Sequence, residues 1–126
     1  MNISIIIFYI IQFINSIRIP LFPKNIFKAY KISKRFDDDI SSVCASFNLE
    51  IINQKIKNIR IAYGGMASIP KRAKYCEKIL LHSLITEQII NKAKEALEED
   101  FKPISDMRAS RKYRMEVAKI CFTNVF

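Results

Sequence analysis

Glycine is almost missing from this chain: there are two in 126 residues, adjacent at Gly64 and Gly65. A flexible linker or disordered tail is excluded, because half of the residues are hydrophobic and that is ample material for a core. Two neighbouring glycines also fail to make a GxGxxG or GxxxxGK[ST] phosphate cradle. Histidine is scarcer still, with His82 alone and no metal-ligating residue types beside it. Cys44, Cys76 and Cys121 stand too far apart for a C-x2-C metal half-site. Their odd number and lack of framework spacing argue against a disulfide scaffold and for free thiols in a reducing, cytoplasmic setting. All three are expected to be packing residues. No nucleophile stands in a pattern with a base, so no residue is assigned a catalytic role and none a metal.

Long apolar runs are absent too. The stretch Ile3 to Ile11 is about half of the roughly 20 residues needed to cross a bilayer. It has neither the basic flank nor the small-residue cleavage site of a secretory signal. Its isoleucines suit a buried strand or short helix, and a membrane-surface anchor is the alternative. Acidic residues are few, 12 against 21 Lys and Arg, for a net charge of +9. This charge can draw phosphates, acidic partner surfaces or anionic membranes. The cations are spread along the chain without a motif that groups them with stacking aromatics. A basic nucleic-acid-binding module is therefore a reading suggested by charge alone.

What is present is patterning, on a length that makes one domain. Residues 16–21 alternate Ile17, Ile19 and Leu21 with Ser16, Arg18 and Pro20, predicting a short edge-type strand that Pro20 helps to end. Phe27 to Ser33 alternates again, with Phe27, Ala29 and Lys31 on one face and Lys28, Tyr30 and Ile32 on the other. An acidic turn at 37–39 separates this strand from a third, Val43 to Ile52. Asn53 and Gln54 form a hairpin turn into a further strand, Lys55 to Tyr63, with Ile56, Ile59 and Ile61 apolar. After Pro70 the period becomes helical: Ala73, Cys76, Leu80 and Leu84 line one helix, and Ile89, Ile90, Ala93, Ala96 and Leu97 a second with Thr86 as N-cap. Asp106 is expected to cap a third helix, with Tyr113, Val117 and Cys121 on one face. Strands then helices give an α+β fold, a three-stranded antiparallel sheet with about three helices packed on one face.

Three segments fall in an order that resembles one family: FKAYKISKRFDDDIS at 27–41, IRIAYGGMASIPKRA at 59–73 and DMRASRKYRMEVA at 106–118. Together they resemble the C-terminal domain of the FAD-carrying subunit of xanthine dehydrogenase, a carbon monoxide dehydrogenase flavoprotein C-terminal-like domain of the molybdenum hydroxylase family. The resemblance assigns residues 13–126 to that domain and leaves 1–12 as an atypical apolar segment. The family's larger flavin-binding domain precedes this region and does not fit before Phe13.

The resemblance implies that Lys31 contacts FAD and that Ile14 supplies an apolar contact from the preceding strand. A cation suits that place because two-electron reduction puts negative charge on the N1 and C2 carbonyl edge of the flavin. Arg35 and Asp38 fall in a charged loop beside that flavin edge, with a solvated turn as the plainer account. Tyr63, Gly64 and Gly65 match the family's fold signature. Here the glycines serve a tight strand-to-helix turn, and Met66 is expected in the core. Arg108 and Arg114 either bridge to the flavin domain or molybdenum subunit or lie on a basic solvated helix face.

The activity implied is that of a xanthine dehydrogenase: purine hydroxylation at a molybdenum cofactor, with electrons passing through [2Fe-2S] clusters to FAD and then NAD. Clusters and molybdenum cofactor belong to other domains or subunits, so the implied partners are the FAD/iron-sulfur domain and the molybdenum-binding subunit. The chain alone is expected to be inactive and to bind FAD weakly. A truncated, non-catalytic remnant that still folds is the alternative.

Overall fold

The computed structural model describes residues 13–20, 24–35 and 39–126. Among these residues four antiparallel strands in sequential order make one sheet: β1 (Ile26–Ile32), β2 (Val43–Ile52), β3 (Lys55–Gly64) and β4 (Lys71–Arg72). Three helices follow, α1 (Lys74–Leu80), α2 (Glu87–Asp100) and α3 (Arg111–Thr123). The α+β class, the antiparallel sheet and the three helices agree with the sequence pattern. The strand count of three does not. β4 is two residues wedged between Pro70 and Ala73, paired Tyr63 to Lys71 and Ala62 to Arg72, and two residues carry no readable period.

Alternation along β2 divides the sheet into two faces. Val43, Ala45, Phe47 and Leu49 are buried beneath the helices together with Ile56, Ile59, Ile61 and Tyr63 of β3. Ile56 and Ile59 share this face despite their odd spacing, because a bulge sets Glu50 opposite Asn58 and Ile51 opposite Ile56, leaving Lys57 between. The β2–β3 hairpin turns through Asn53 and Gln54 at φ 50° and 61°, the paired positive φ that a two-residue turn matched to strand twist requires. Phe47 is the aromatic hub of the core, with ring centroids 6.1 Å from Tyr30, 5.9 Å from Tyr63 and 6.5 Å from Phe122. Tyr63 ties sheet to helix by donating its hydroxyl to the Ala118 carbonyl at 3.0 Å.

The helix ends follow from capping. Thr86 accepts from the Ile89 amide and Ser110 from the Tyr113 amide, so each satisfies an orphan donor of its helix. Ser110, not Asp106, therefore caps α3. Helix α1 has no side-chain cap of its own; Asp100, at the end of α2, accepts from the Tyr75 and Cys76 amides at 3.1 and 3.0 Å. Leu84, expected on the first helix, instead bridges Lys55 of the sheet. The helix stops before it, since His82 takes a left-handed φ of 64° and its amide donates to the Ile56 carbonyl.

The strand expected over 16–21 is not formed in its described part: residues 13–20 lie in no strand and are exposed, and Leu21 lies outside the described residues. Alternation shows that a segment has two faces. A ladder also needs a neighbouring backbone, and among the described residues none pairs with this segment.

Candidate functional site

The face of the sheet opposite the helices carries the residues of interest. On β1, Phe27, Ala29 and Lys31 point to this side, and register places Lys31 against Cys44 and Ala29 against Ser46. Next across the sheet come Gly64 opposite Cys44 and Ala62 opposite Ser46. The floor beside the Lys31 stem is thus built from Ala29, Cys44, Ser46, Ala62 and Gly64, none larger than cysteine. A Cβ placed on Gly64 would stand 3.6 Å from that of Cys44, so the glycine keeps the floor low where the strands end. Lys31 is exposed, and among the described residues its side chain makes no ion pair or hydrogen bond.

Cys44 is exposed on this face, contrary to the expectation that all three cysteines pack inside; Cys76 and Cys121 are buried. Position along β2 decides this, because even-numbered residues of 43–50 face outward. Burial pushes the Cys76 and Cys121 thiols up from the usual range. A water-soluble thiol reagent should label Cys44 in the folded protein at least about tenfold faster than the other two, which become reactive together on unfolding. Equal labelling of all three without denaturant would contradict the packing.

Beyond Lys31 the chain turns into the charged loop. Arg35 is exposed and lies 3.7 Å from the Asp39 carboxylate. Asp39 also accepts from the Arg35 and Ile40 amides, and the Arg35 amide foremost holds this carboxyl below its ordinary value. Asp38 lies outside the described residues. Ile14 lies in the exposed 13–20 segment and is not part of the sheet that carries Lys31.

At the same end of the sheet one side chain joins the second and third motif segments to Ser42, the residue just after the first. Arg114 of α3 is 1% exposed. Its Nη1 donates to the carbonyls of Ser42 and, at 2.8 Å, Gly65. Its Nη2 donates to Asp106 Oδ1 at 2.6 Å. Asp106 in turn pairs with Arg108 at 2.7 Å and accepts from the Arg108 and Ala109 amides. These bonds, the Arg108 side chain first, hold its carboxyl far below the usual carboxylate range. Lys34 Nζ donates to the Met107 carbonyl at 2.7 Å, which ties the charged loop to the same node. A surface groove of about 500 Å³ between Lys34, Ser42, Met107, Arg108 and Tyr113 lies over it.

Arg114 was expected to bridge to a partner or sit on a solvated face, and it does neither. It is the internal clamp between β2, the glycine turn and α3. The clue in the sequence is its place in the row Arg114, Ala118, Cys121, which puts the arginine on the helix's buried stripe. Tyr113, expected on the packing face, is half exposed.

The profile of the CO dehydrogenase flavoprotein C-terminal domain matches residues 28–126. The chain belongs to this family. It is 27% identical over 118 residues to the glyceraldehyde dehydrogenase medium chain of Sulfolobus acidocaldarius, covering 91% of this chain and 41% of that protein. It is 25% identical over 88 residues to the xanthine dehydrogenase FAD-binding subunit of Escherichia coli O157:H7, covering 70% of this chain and 30% of the other. The chain thus spans well under half the length of either relative. In fold it is similar to a chain of the carbon monoxide dehydrogenase of Hydrogenophaga pseudoflava, with a TM-score of 0.75 and 21% identity over 82% of this chain and 36% of that one. Among the described residues no helix is long and apolar enough to cross a membrane, and no group of three His, Cys, Asp or Glu is placed to hold a metal.

Proposed function

We propose that this chain works as the C-terminal domain of the FAD-carrying subunit of a molybdenum hydroxylase of the xanthine dehydrogenase type. Residues 13–126 form that domain, residues 1–12 precede it, and it acts with an FAD/iron-sulfur domain and a molybdenum-binding subunit. When bound, FAD accepts electrons from iron-sulfur clusters and delivers them to NAD. The observation that carries this reading is the position of Lys31: an exposed ammonium at the end of a family strand, above a floor of small side chains.

The residues present fit a flavin edge. A planar heterocycle needs a flat, shallow surface, and Ala29, Cys44, Ser46 and Gly64 supply one. The Lys31 ammonium would be placed to hold negative charge at the ring edge, worth about 1 kcal/mol in bulk water and a few kcal/mol where water is excluded. Arg35 and Asp38 belong to the loop that follows and would border the same edge, with Ile14 as an apolar contact. Gripping the pyrophosphate needs glycine-rich backbone that this chain lacks, so the domain contributes to a shared site. Three free thiols suit a reducing, cytoplasmic compartment.

Purine hydroxylation is the reaction proposed for the assembled enzyme, since a matching relative is a xanthine dehydrogenase subunit. The longer match to a glyceraldehyde dehydrogenase medium chain favours an aldehyde substrate as the second reading. The substrate is chosen at the molybdenum subunit in either case.

The test is co-expression with a separate flavin domain and molybdenum subunit. Wild type should co-purify as a yellow complex in which docking shields Cys44 from thiol reagent. Lys31→Ala should keep the unfolding free energy within the roughly 0.5 kcal/mol scatter of surface substitutions and lower flavin retention or NAD reduction at least about tenfold, a loss of about 1.4 kcal/mol. Unchanged flavin content and turnover in the variant would remove Lys31 from the site. Colourless protein that binds neither partner would leave a fold without this function.

A further inference from the structure

Strand β1 carries Lys31, yet it is held to the helices differently from its neighbours. β2 and β3 each bury four apolar residues beneath the helical layer, whereas no residue of β1 is fully buried. Lys28, Tyr30 and Ile32 form its inward row and are half-buried. In place of core burial β1 has polar anchors. Among the described residues, each hydrogen bond from a β1 side chain ends on the main-chain carbonyl oxygen of Asn124, which accepts from Lys28 Nζ at 3.2 Å and from the Tyr30 hydroxyl at 3.1 Å.

That oxygen suits the task. Asn124 is the C-cap of α3 and its amide donates to the Ile120 and Phe122 carbonyls, so the helix it ends fixes its place. The last carbonyls of a helix have no partner within it and carry its negative partial charge. A carbonyl oxygen has two lone pairs, and here a phenol and an ammonium fill both. The Tyr30 ring also meets Phe47 edge-on, with centroids 6.1 Å apart.

The same helix holds the other side of Lys31. The Ser42 amide donates to the Ile32 carbonyl at 2.8 Å, and the Ser42 carbonyl accepts from Arg114 of α3. Lys31 therefore stands between Tyr30, bonded to one end of α3, and Ile32, tied through Ser42 to the other. Side chains alternate along a strand, so whatever pins Tyr30 inward turns Lys31 outward above Cys44. The ladder to β2 fixes register, but the twist between paired strands ranges over about −10 to −35°. The anchors decide where in that range the Lys31 stem lies.

We infer that Tyr30, together with Lys28, is a positioning residue for the Lys31 ammonium. Both act through the Asn124 carbonyl, and α3 is the strut that sets the direction of the cation over the small-residue floor. The inference rests on the reading that Lys31 meets a flavin edge, and adds which groups of this chain hold it there.

The test is a cycle of variants in the full chain. Lys28→Met with Tyr30→Phe removes both donors and keeps their bulk. In the chain alone this double variant should retain its circular dichroism. The protected amides of β1 should exchange about tenfold faster, while those between β2 and β3 keep wild-type rates. In the complex co-expressed with the flavin domain and molybdenum subunit, flavin retention should fall about threefold, the scale of a lost surface hydrogen bond. The flavin midpoint potential should move down, as it does in Lys31→Ala, because the reduced ring loses its cation. Lys28→Arg, which keeps a donor, should match wild type. In a Lys31→Ala background the double variant should change neither retention nor potential further.

Equal losses in both backgrounds overturn the positioning role and make the anchors structural only. Wild-type exchange rates in β1, or wild-type flavin retention in the double variant, overturn it and leave Lys31 in the site. Lys31→Ala without effect, or a wild-type chain that yields no yellow complex, overturns the flavin site and the positioning role together.

Discussion

Gly65→Ala should cost the domain about 3–5 kcal/mol and lower its melting temperature by roughly 10–20 °C, the scale for a change that forces backbone to move in a domain of this size. Gly65 sits at φ +79°, and a Cβ there would lie 2.3 Å from the Ser42 carbonyl oxygen and 3.0 Å from Arg114 Nη1. The left-handed conformation alone costs a side chain about 1–2 kcal/mol. The Ser42 oxygen cannot step aside, because it is backbone and accepts from Arg114. Relief of the clash therefore breaks the clamp as well, at about 1–3 kcal/mol for each buried group left unpaired. Gly64→Ala is the internal control. Its Cβ meets only ordinary contact on the open face, so stability should stay within about 1 kcal/mol. Thermal melts of the two variants give the comparison, and equal losses would refute the account of the turn.

Arg114→Ala should be comparably severe, about 3–5 kcal/mol, as for removal of one member of a buried charged network. The variant leaves the Ser42 and Gly65 carbonyls without their donor, opens a cavity against the core and takes one cation from Asp106. Arg114→Lys should recover little, because one ammonium does not reproduce the planar fork that reaches two carbonyls and a carboxylate. Arg108→Ala removes the outer partner of the same Asp106, where the pair is partly exposed, and should cost about 0–1 kcal/mol. Denaturant melts of the three variants rank them. A mild Arg114→Ala would mean that the node is decoration. Gly65→Ala combined with Arg114→Ala should fall short of the sum of the two, since both act on the Ser42 carbonyl.

The strands were legible where each residue's neighbours follow from local pattern. Val43 to Ile52 and the Asn53–Gln54 turn could be read directly, because alternation and a two-residue turn are short-range properties. Thr86 was legible as an N-cap for the same reason. Errors came where a partner distant in sequence decides the outcome. Residues 13–20 have strand chemistry but no paired neighbour among the described residues. Leu84 has helical spacing, yet its backbone bridges Lys55. Asp106 looked like a helix cap and instead holds two arginines. At the candidate site, Lys31 was marked by its motif, whereas the exposed Cys44 beside it became visible only once β1 and β2 were in register.

By itself the sequence determined the class of fold, the passage from sheet to helices and the family, because these rest on periodicity, turn chemistry and three ordered motifs carried within single segments. Tertiary structure decided what the motifs are for. It brought Ser42, Gly65, Asp106 and Arg114 into one buried clamp and laid Lys31 over a floor of small side chains from three strands. It also left residues 13–20 without a ladder among the described residues. Each outcome depends on contacts between segments remote along the chain, and such contacts have no period to read.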